Sequence, residues 1–192
     1  IISISLYILA GIQRKNKNSN EAALKYFLLG AFATGFLLYG MTLIYGSTGS
    51  TKLALIAKVI SDGEIISEQL LLMGVVLLII GFGFKVAAVP FHMWAPDVYQ
   101  GAPTPVTAFM AVGPKAASLA AFYRIMSETM PEISYSWEIL LCVISVLSMF
   151  IGNLGAIMQT NIKRLLAFSS VAHVGYLMIA IIAKNSLSSS SL

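Results

Sequence analysis

The feature that most constrains the fold is the stretch Gly81–Lys115, in which a proline-rich segment separates two apolar runs. The first run, Leu70–Val89, is long enough to cross a bilayer and contains Lys85. Four prolines stand between the runs, and the second run contains Lys115. Because proline removes a backbone donor and clashes with the preceding turn, the first helix is predicted to break at Pro90.

Each of these lysines would lie at membrane depth, where an ionisable group costs a few kcal/mol or more. Such groups are rare without a role, so the default interpretation is an ion or proton path. A broken helix at that depth is tolerated only where the freed backbone faces protein or a water-filled cavity. The stretch therefore predicts a functional site inside a membrane bundle.

The composition supports a membrane protein. Hydrophobic residues make up 58% of the 192 residues and charged residues only 10%, with a mean hydropathy of +0.86. A soluble domain carries about 25% charged residues. The net charge of +4 does not indicate nucleic-acid binding, because the basic residues form no single stripe. The single cysteine, Cys142, excludes an internal disulfide framework and a cysteine-rich metal site.

The apolar segments predict an all-α polytopic membrane protein with about five full transmembrane helices, a partial helix, and one discontinuous helix broken at Pro90. Residues 1–192 are expected to form one transmembrane domain. The predicted spans are the half-span Ile1–Ile12 followed by Ala22–Tyr45, Leu70–Val89, Thr104–Ile125, Trp137–Met158 and Ile162–Ala183.

The segments between the spans carry local signals. Ser19 or Asn20 is expected to cap the helix that begins near Ala22. The run KLALIAKVI is too short to span and is predicted to form a short helix at the interface. The segment Phe91–Gln100 could be a second half-helix or a re-entrant loop, and Pro105 suits the first turn of the following helix.

Loop charges predict the orientation. If every span crosses, the first and fifth loops are basic and lie on one side, whereas the fourth loop is acidic and lies on the other. The positive-inside rule then places the first, third and fifth loops in the cytoplasm or its equivalent. The residues that carry this signal are Arg14, Lys15, Lys17, Lys163 and Arg164 against Glu128 and Glu132.

Three titratable residues on different spans are predicted to share a layer near the midplane. At 1.5 Å per residue, Lys85, Lys115 and His173 lie about 22, 16 and 17 Å along their helices. Burial disfavours the charged form of lysine, and histidine titrates near neutrality, so such a layer could relay protons. We expect all three side chains to point into the bundle.

Simpler explanations stand beside the relay. Lys85 could snorkel towards Pro90 as an anchor, Lys115 could also be an anchor, and His173 could be a hydrogen-bonded packing residue. The remaining polar residues of the break and the last loop have structural or topological explanations: His92, Asp97, Lys163 and Arg164.

Three sequence runs carry a resemblance to a known family. They are GFGFKVAAVPFHMWAPDVYQGAPTPV, the lysine-containing VGPKAA, and NIKRLLAFSSVAHVGYLM. Together they resemble the antiporter-like membrane subunits of respiratory complex I, a family that also includes subunits of multi-subunit cation/proton antiporters and of membrane-bound hydrogenases. The ending VYQGAPTPV is most similar to the subunit N branch of NADH-quinone oxidoreductase, and the resemblance extends from about Asn20 to Ala183.

The resemblance implies a longer subunit of about fourteen spans with two inverted repeats, each containing a broken helix near a protonatable residue. Lys85 then matches the lysine of the seventh, broken helix, Lys115 the connecting lysine of the eighth, and His173 lies on the tenth. The glutamate that partners the first lysine is expected just before Ile1. The chain is therefore expected to be a fragment of the subunit.

By the same resemblance, the subunit translocates protons while other subunits of the complex bind NADH and quinone. The chain itself is expected to hold no cofactor or metal, to perform no redox chemistry, and to contact lipid and other membrane subunits. A bacterial plasma membrane is favoured over the energy-transducing membrane of an organelle. Two alternatives stay open: a cation/proton antiporter subunit, distinguished by Na⁺ dependence, and a non-conducting scaffold, in which replacing the lysines leaves pumping intact.

Overall fold

A computed structural model describes the backbone of residues 2–189 and the side chains of residues 2–183. Ile1 and the last residues of the low-complexity tail Ser186–Leu192 lie outside the described range. Within that range the chain forms α-helices and no strand. The helices are α1 (Ile2–Ala10), α2 (Lys17–Thr48), α3 (Leu53–Ser61), α4 (Glu68–Val86), α5 (Trp94–Gly101), α6 (Thr104–Tyr123), α7 (Ser134–Ile157) and α8 (Ile162–Ser189).

Five helices of the described part are long and apolar enough to span a membrane, which confirms the all-α polytopic fold. They are α2, α4, α6, α7 and α8, and α1 is the partial helix. Pro114 lies inside α6 without ending it, and the span continues through a π-helical segment, Arg124–Thr129. The short helix predicted from KLALIAKVI is α3.

The predicted start of α2 is wrong. The helix begins at Lys17 rather than near Ala22, because the side chain of Asn16 accepts a hydrogen bond from the Asn18 backbone N–H and so caps the first turn. Ser19, a predicted cap, is instead buried and donates to the Ala10 carbonyl at 2.6 Å. The Ser19 hydroxyl therefore joins α1 to α2 and does not cap the helix.

The break in the discontinuous helix is where the sequence predicts it. α4 ends at Val86, and Ala87 adopts a left-handed conformation with φ of 61°. Two bonds satisfy backbone groups freed by the break: the Trp94 indole N–H donates to the Phe84 carbonyl at 3.0 Å, and the Val89 N–H donates to the Ser148 hydroxyl at 3.0 Å. The chain then resumes as α5, so Phe91–Gln100 contains a second half-helix.

Close helix contacts hold the bundle together. α2 packs on α4 where Gly40 and Gly74 meet, since a Cβ on Gly40 would lie 2.9 Å from the Gly74 carbonyl oxygen. α7 packs on α8 in the same way at Gly152, where a Cβ would lie 2.6 Å from the Ala172 nitrogen. α5 lies against both α2 and α8, and α6 contacts α1, α4 and α8. The second half-helix, α5, therefore lies between one helix of each pair, α2 and α8.

The first, third and fifth loops meet at one end of the bundle. The Lys163 ammonium at the start of α8 donates to the Ala102 carbonyl, between α5 and α6, at 2.9 Å. Lys25, in the third turn of α2, donates to Asp97 of α5 at 2.7 Å. These contacts agree with the predicted common side of the three loops.

Candidate functional site

Lys115 lies in the middle of α6 and is only 5% exposed. Its ammonium donates to the hydroxyl of Ser170 on α8 at 2.7 Å, and that hydroxyl in turn donates to the Ala167 carbonyl at 2.8 Å. No ion pair with a carboxylate is formed by Lys115 within the described residues. A buried amine is therefore held by a neutral hydroxyl.

Tyr99 of α5 provides the second contact of this amine. The Lys115 nitrogen lies 5.6 Å from the centroid of the Tyr99 ring, within the range of a cation–π interaction. The ring is 2% exposed and its hydroxyl donates to the Met110 carbonyl at 3.4 Å. The two groups that contact Lys115 thus come from two different helices, α5 and α8.

Lys85 lies in the last turn of α4, immediately before the break, and is half-buried. Its ammonium donates to the hydroxyl of Ser3 on α1 at 2.8 Å. The carbonyl end of a helix favours a positive charge, so the position also suits the charged form. Lys85 therefore has a protein partner at the edge of the break.

His173 does not point into the bundle as expected. Its ring is exposed in this chain, and its Nδ1 lies 2.8 Å from the Ser169 carbonyl oxygen one turn earlier in α8. The inward face of α8 is formed by residues such as Ala167 and Val171, which leaves position 173 on the adjacent face. That face borders a groove of about 410 Å³ between α6 and α8, which Lys115 also lines.

No hydrogen bond or ion pair among the described residues joins Lys85, Lys115 and His173 to one another. The two lysine sites are connected through aromatic rings. Tyr7 of α1 meets Tyr26 edge-on at 4.7 Å between centroids, Tyr26 stacks on Trp94 at 4.7 Å, and Trp94 meets Tyr99 edge-on at 5.8 Å. Rings therefore link the helix that carries Ser3 to the ring that Lys115 contacts.

A cluster of charged residues at the loop end of the bundle was missed by the sequence analysis. We call it the Asp97 cluster: Asp97, Lys25, Arg164 and Gln100. The Asp97 carboxylate accepts from Lys25 at 2.7 Å and from Arg164 at 2.5 Å, and Arg164 also donates to the Gln100 amide oxygen at 3.1 Å. The sequence analysis gave Asp97 a structural role and Arg164 a topological one, and it did not consider Lys25.

Two ionisable residues that lie outside the five long membrane-spanning helices, Asp97 and His92, have shifted pKa values. Partial burial raises the pKa of Asp97, but hydrogen bonds and charges from Lys25 and Arg164 outweigh it and hold the pKa below its usual range. At the break, burial lowers the pKa of His92, an effect that the neighbouring Pro90 backbone only partly offsets. His92 Nδ1 is buried and makes no hydrogen bond of good geometry within the described residues.

Comparison with known proteins decides the family. The signature of the transmembrane family described as NADH:quinone oxidoreductase/Mrp antiporter matches residues 1–192. The chain belongs to this family. It is 55% identical over 179 residues to NADH-quinone oxidoreductase subunit N of Trichlorobacter lovleyi. This match covers 93% of the chain and 37% of that relative. The chain therefore spans a little over a third of the length of the curated relative, and it is an integral membrane protein like other members of the family.

Solved structures share the fold. A chain of respiratory complex I from Thermus thermophilus with bound aureothin is 46% identical, with a TM-score of 0.77, and the match covers 94% of this chain and 38% of that one. A chain of the Mrp complex from Dietzia sp. is 25% identical, with a TM-score of 0.81, and the match covers 92% of this chain and 33% of that one. Both belong to multi-subunit membrane complexes, and the complex I chain has the higher identity.

Proposed function

We propose that this chain is the part of a proton-translocating subunit of NADH-quinone oxidoreductase that contains the first broken helix and the central lysine. The subunit N relative and the complex I structure support this assignment. In the intact complex, other subunits would bind NADH and quinone and supply the redox energy. The relatives are bacterial, which supports a bacterial plasma membrane.

The environment of Lys115 carries the proposal. A lysine that only anchors a helix is expected near a helix end or beside a carboxylate, whereas Lys115 is buried mid-span with a serine and an aromatic ring. A hydroxyl can accept from an ammonium and can donate to a neutral amine, so Ser170 suits both protonation states. The site therefore supports loading and unloading of a proton.

Lys85 and His173 would act on either side of Lys115. Lys85 would exchange protons at the break, through Ser3 and any water held there. His173 would exchange them across the groove between α6 and α8, where its ring and the Lys115 amine line the same space. Any transfer between these residues needs intervening water or hydroxyl groups, since none of them bonds directly to another.

The test is proton pumping by the assembled complex in proteoliposomes, driven by NADH and a quinone, with Lys85→Met and Lys115→Met combined. The expected result is continued NADH oxidation with fewer protons pumped per electron. An unchanged ratio would identify the subunit as a scaffold. Repeating the native measurement without Na⁺ tests the antiporter alternative, because pumping that requires Na⁺ would favour it over the proton path.

A further inference from the structure

The Asp97 cluster ties together the two helices that contact Lys115. Tyr99 reaches the amine from α5, and Ser170 reaches it from α8. Arg164, at the start of α8, bonds both Asp97 and Gln100, which lie one turn apart on α5. We propose that Arg164 and Asp97 are positioning residues that keep Ser170 and Tyr99 against Lys115. This inference rests on the proposed role of Lys115 in proton transfer.

The geometry of α5 supports the proposal. Asp97 and Tyr99 are two residues apart, which turns their side chains about 200° from each other around the helix. The carboxylate faces Lys25 and Arg164, while the ring faces Lys115 on the other side. A short half-helix held on one face by ion pairs therefore presents the opposite face to the amine.

The geometry of α8 completes the connection. Arg164 and Ser170 are six residues apart, about 9 Å along the same helix. Lys163 adds a second bond to the end of α5 through the Ala102 carbonyl at 2.9 Å. Because a helix is nearly rigid over this distance, a shift of Arg164 would also move Ser170 and change its 2.7 Å contact with Lys115.

A purely structural role of Asp97 and Arg164 would affect assembly and stability rather than proton transfer. The side chains of Asp97 and Arg164 are 34% and 29% exposed, and ion pairs near the surface add little net stability. Neutralising the pair should therefore leave the complex assembled. The hydrogen bond and ring contact at Lys115 depend on position, so proton transfer should be impaired more than stability.

The chain offers a matched control. Lys25 forms ion pairs with Asp97 and with Glu21, each at 2.7 Å. It lies on α2, which contributes neither of the two contacts to Lys115. Lys25→Gln removes one ion pair from the same carboxylate and leaves the bond between α5 and α8 in place. It should change pumping per electron much less than Arg164→Gln.

The experiment measures protons pumped per electron by the assembled complex in proteoliposomes. Arg164→Gln should lower the ratio about three- to tenfold, a range typical of coupling through packed networks. Arg164→Lys, which keeps the charge towards Asp97, should recover part of it. Ser170→Ala combined with Arg164→Gln should be no worse than the stronger single change, because both act on one contact. Additive losses, or native pumping in Arg164→Gln, would overturn the positioning role.

Lys115→Met measured in parallel separates the two levels of the account. If that variant pumps normally, the proposed function fails whatever Arg164 does. If it fails to pump while Arg164→Gln pumps normally, only the positioning role is wrong. Should Arg164→Gln reduce assembly, Asp97→Asn provides the same test from α5, with assembly followed by native gel electrophoresis.

Discussion

Lys115 and Lys85 are both lysines on apolar helices, and their surroundings differ. Lys115 is 5% exposed, stands mid-helix, and contacts a hydroxyl and a ring from two other helices. Lys85 is half-buried in the last turn of α4, beside a break in the backbone, and donates to a serine of α1. Burial mid-span forces Lys115 to depend on its protein neighbours, whereas Lys85 can also be stabilised by the helix end and by water.

Under the proposed relay, this difference predicts that the two lysines have different roles. A buried lysine with neutral partners suits a step in which the proton is held and then released, because its charge has no counter-ion among the described residues. A lysine at a break suits exchange with groups that enter the opening, since the freed backbone there must face protein or water. The predictions below test whether this contrast governs the effect of each residue.

The largest effect is expected for Lys115→Met, which keeps the volume of the side chain but removes the amine. Protons pumped per electron should fall at least about tenfold, as expected when a proton-transfer group is removed. Phe109→Met, on the exposed side of the same helix, is the control and should pump normally. Native pumping in Lys115→Met would show that the amine of Lys115 is not needed, and the proposed difference between the two lysines would be wrong.

The next effect comes from the two serines that contact the lysines. Ser170→Ala removes the hydrogen bond of the buried Lys115 amine and should lower pumping about three- to tenfold. Ser3→Ala removes the corresponding bond of a half-buried lysine, which water can replace, so its effect should stay within about twofold. Equal losses in the two variants, measured in the same proteoliposomes, would show that burial does not govern the response.

Features close together in sequence could be predicted well. The break at Pro90, the start of α6 at Thr104 and the short α3 all follow from proline, apolar length and local signals. The depth of Lys115 also follows, because the rise per residue of a helix is fixed. The start of α2 was misplaced because four residues of this loop could each serve as a cap, and only two of them, Ser19 and Asn20, were considered, whereas Asn16 is the cap.

Features that depend on tertiary contacts could not be predicted. Lys25 and Arg164 reach Asp97 from 72 and 67 residues away, and no local pattern links them. The orientation of His173 depends on the face that α8 turns to α7, which is set by contacts such as Gly152 against Ala172. The partners of both lysines likewise lie on helices far away in sequence.

The smallest effect concerns His92, in the break between the two lysine sites. Burial lowers the pKa of His92, so between about pH 6.5 and the lower pKa of the folded state the unfolded chain binds a proton that the folded chain does not. Stability should therefore decrease as the pH falls through this window. His92→Gln should remove part of the decrease, about 1–3 °C in the melting temperature of the complex between pH 7 and 5.5. Identical pH dependence in both proteins would contradict the burial of a neutral imidazole.

The most direct test of the central claim is Lys115→Arg. A guanidinium stays charged at any accessible pH, so it keeps the positive charge of the site but cannot release a proton. If Lys115 loads and unloads a proton, Lys115→Arg should reduce protons pumped per electron nearly as much as Lys115→Met, in complexes confirmed to be assembled and to oxidise NADH. Native pumping in Lys115→Arg would show that the site needs only a positive charge, and the relay role of Lys115 would be wrong.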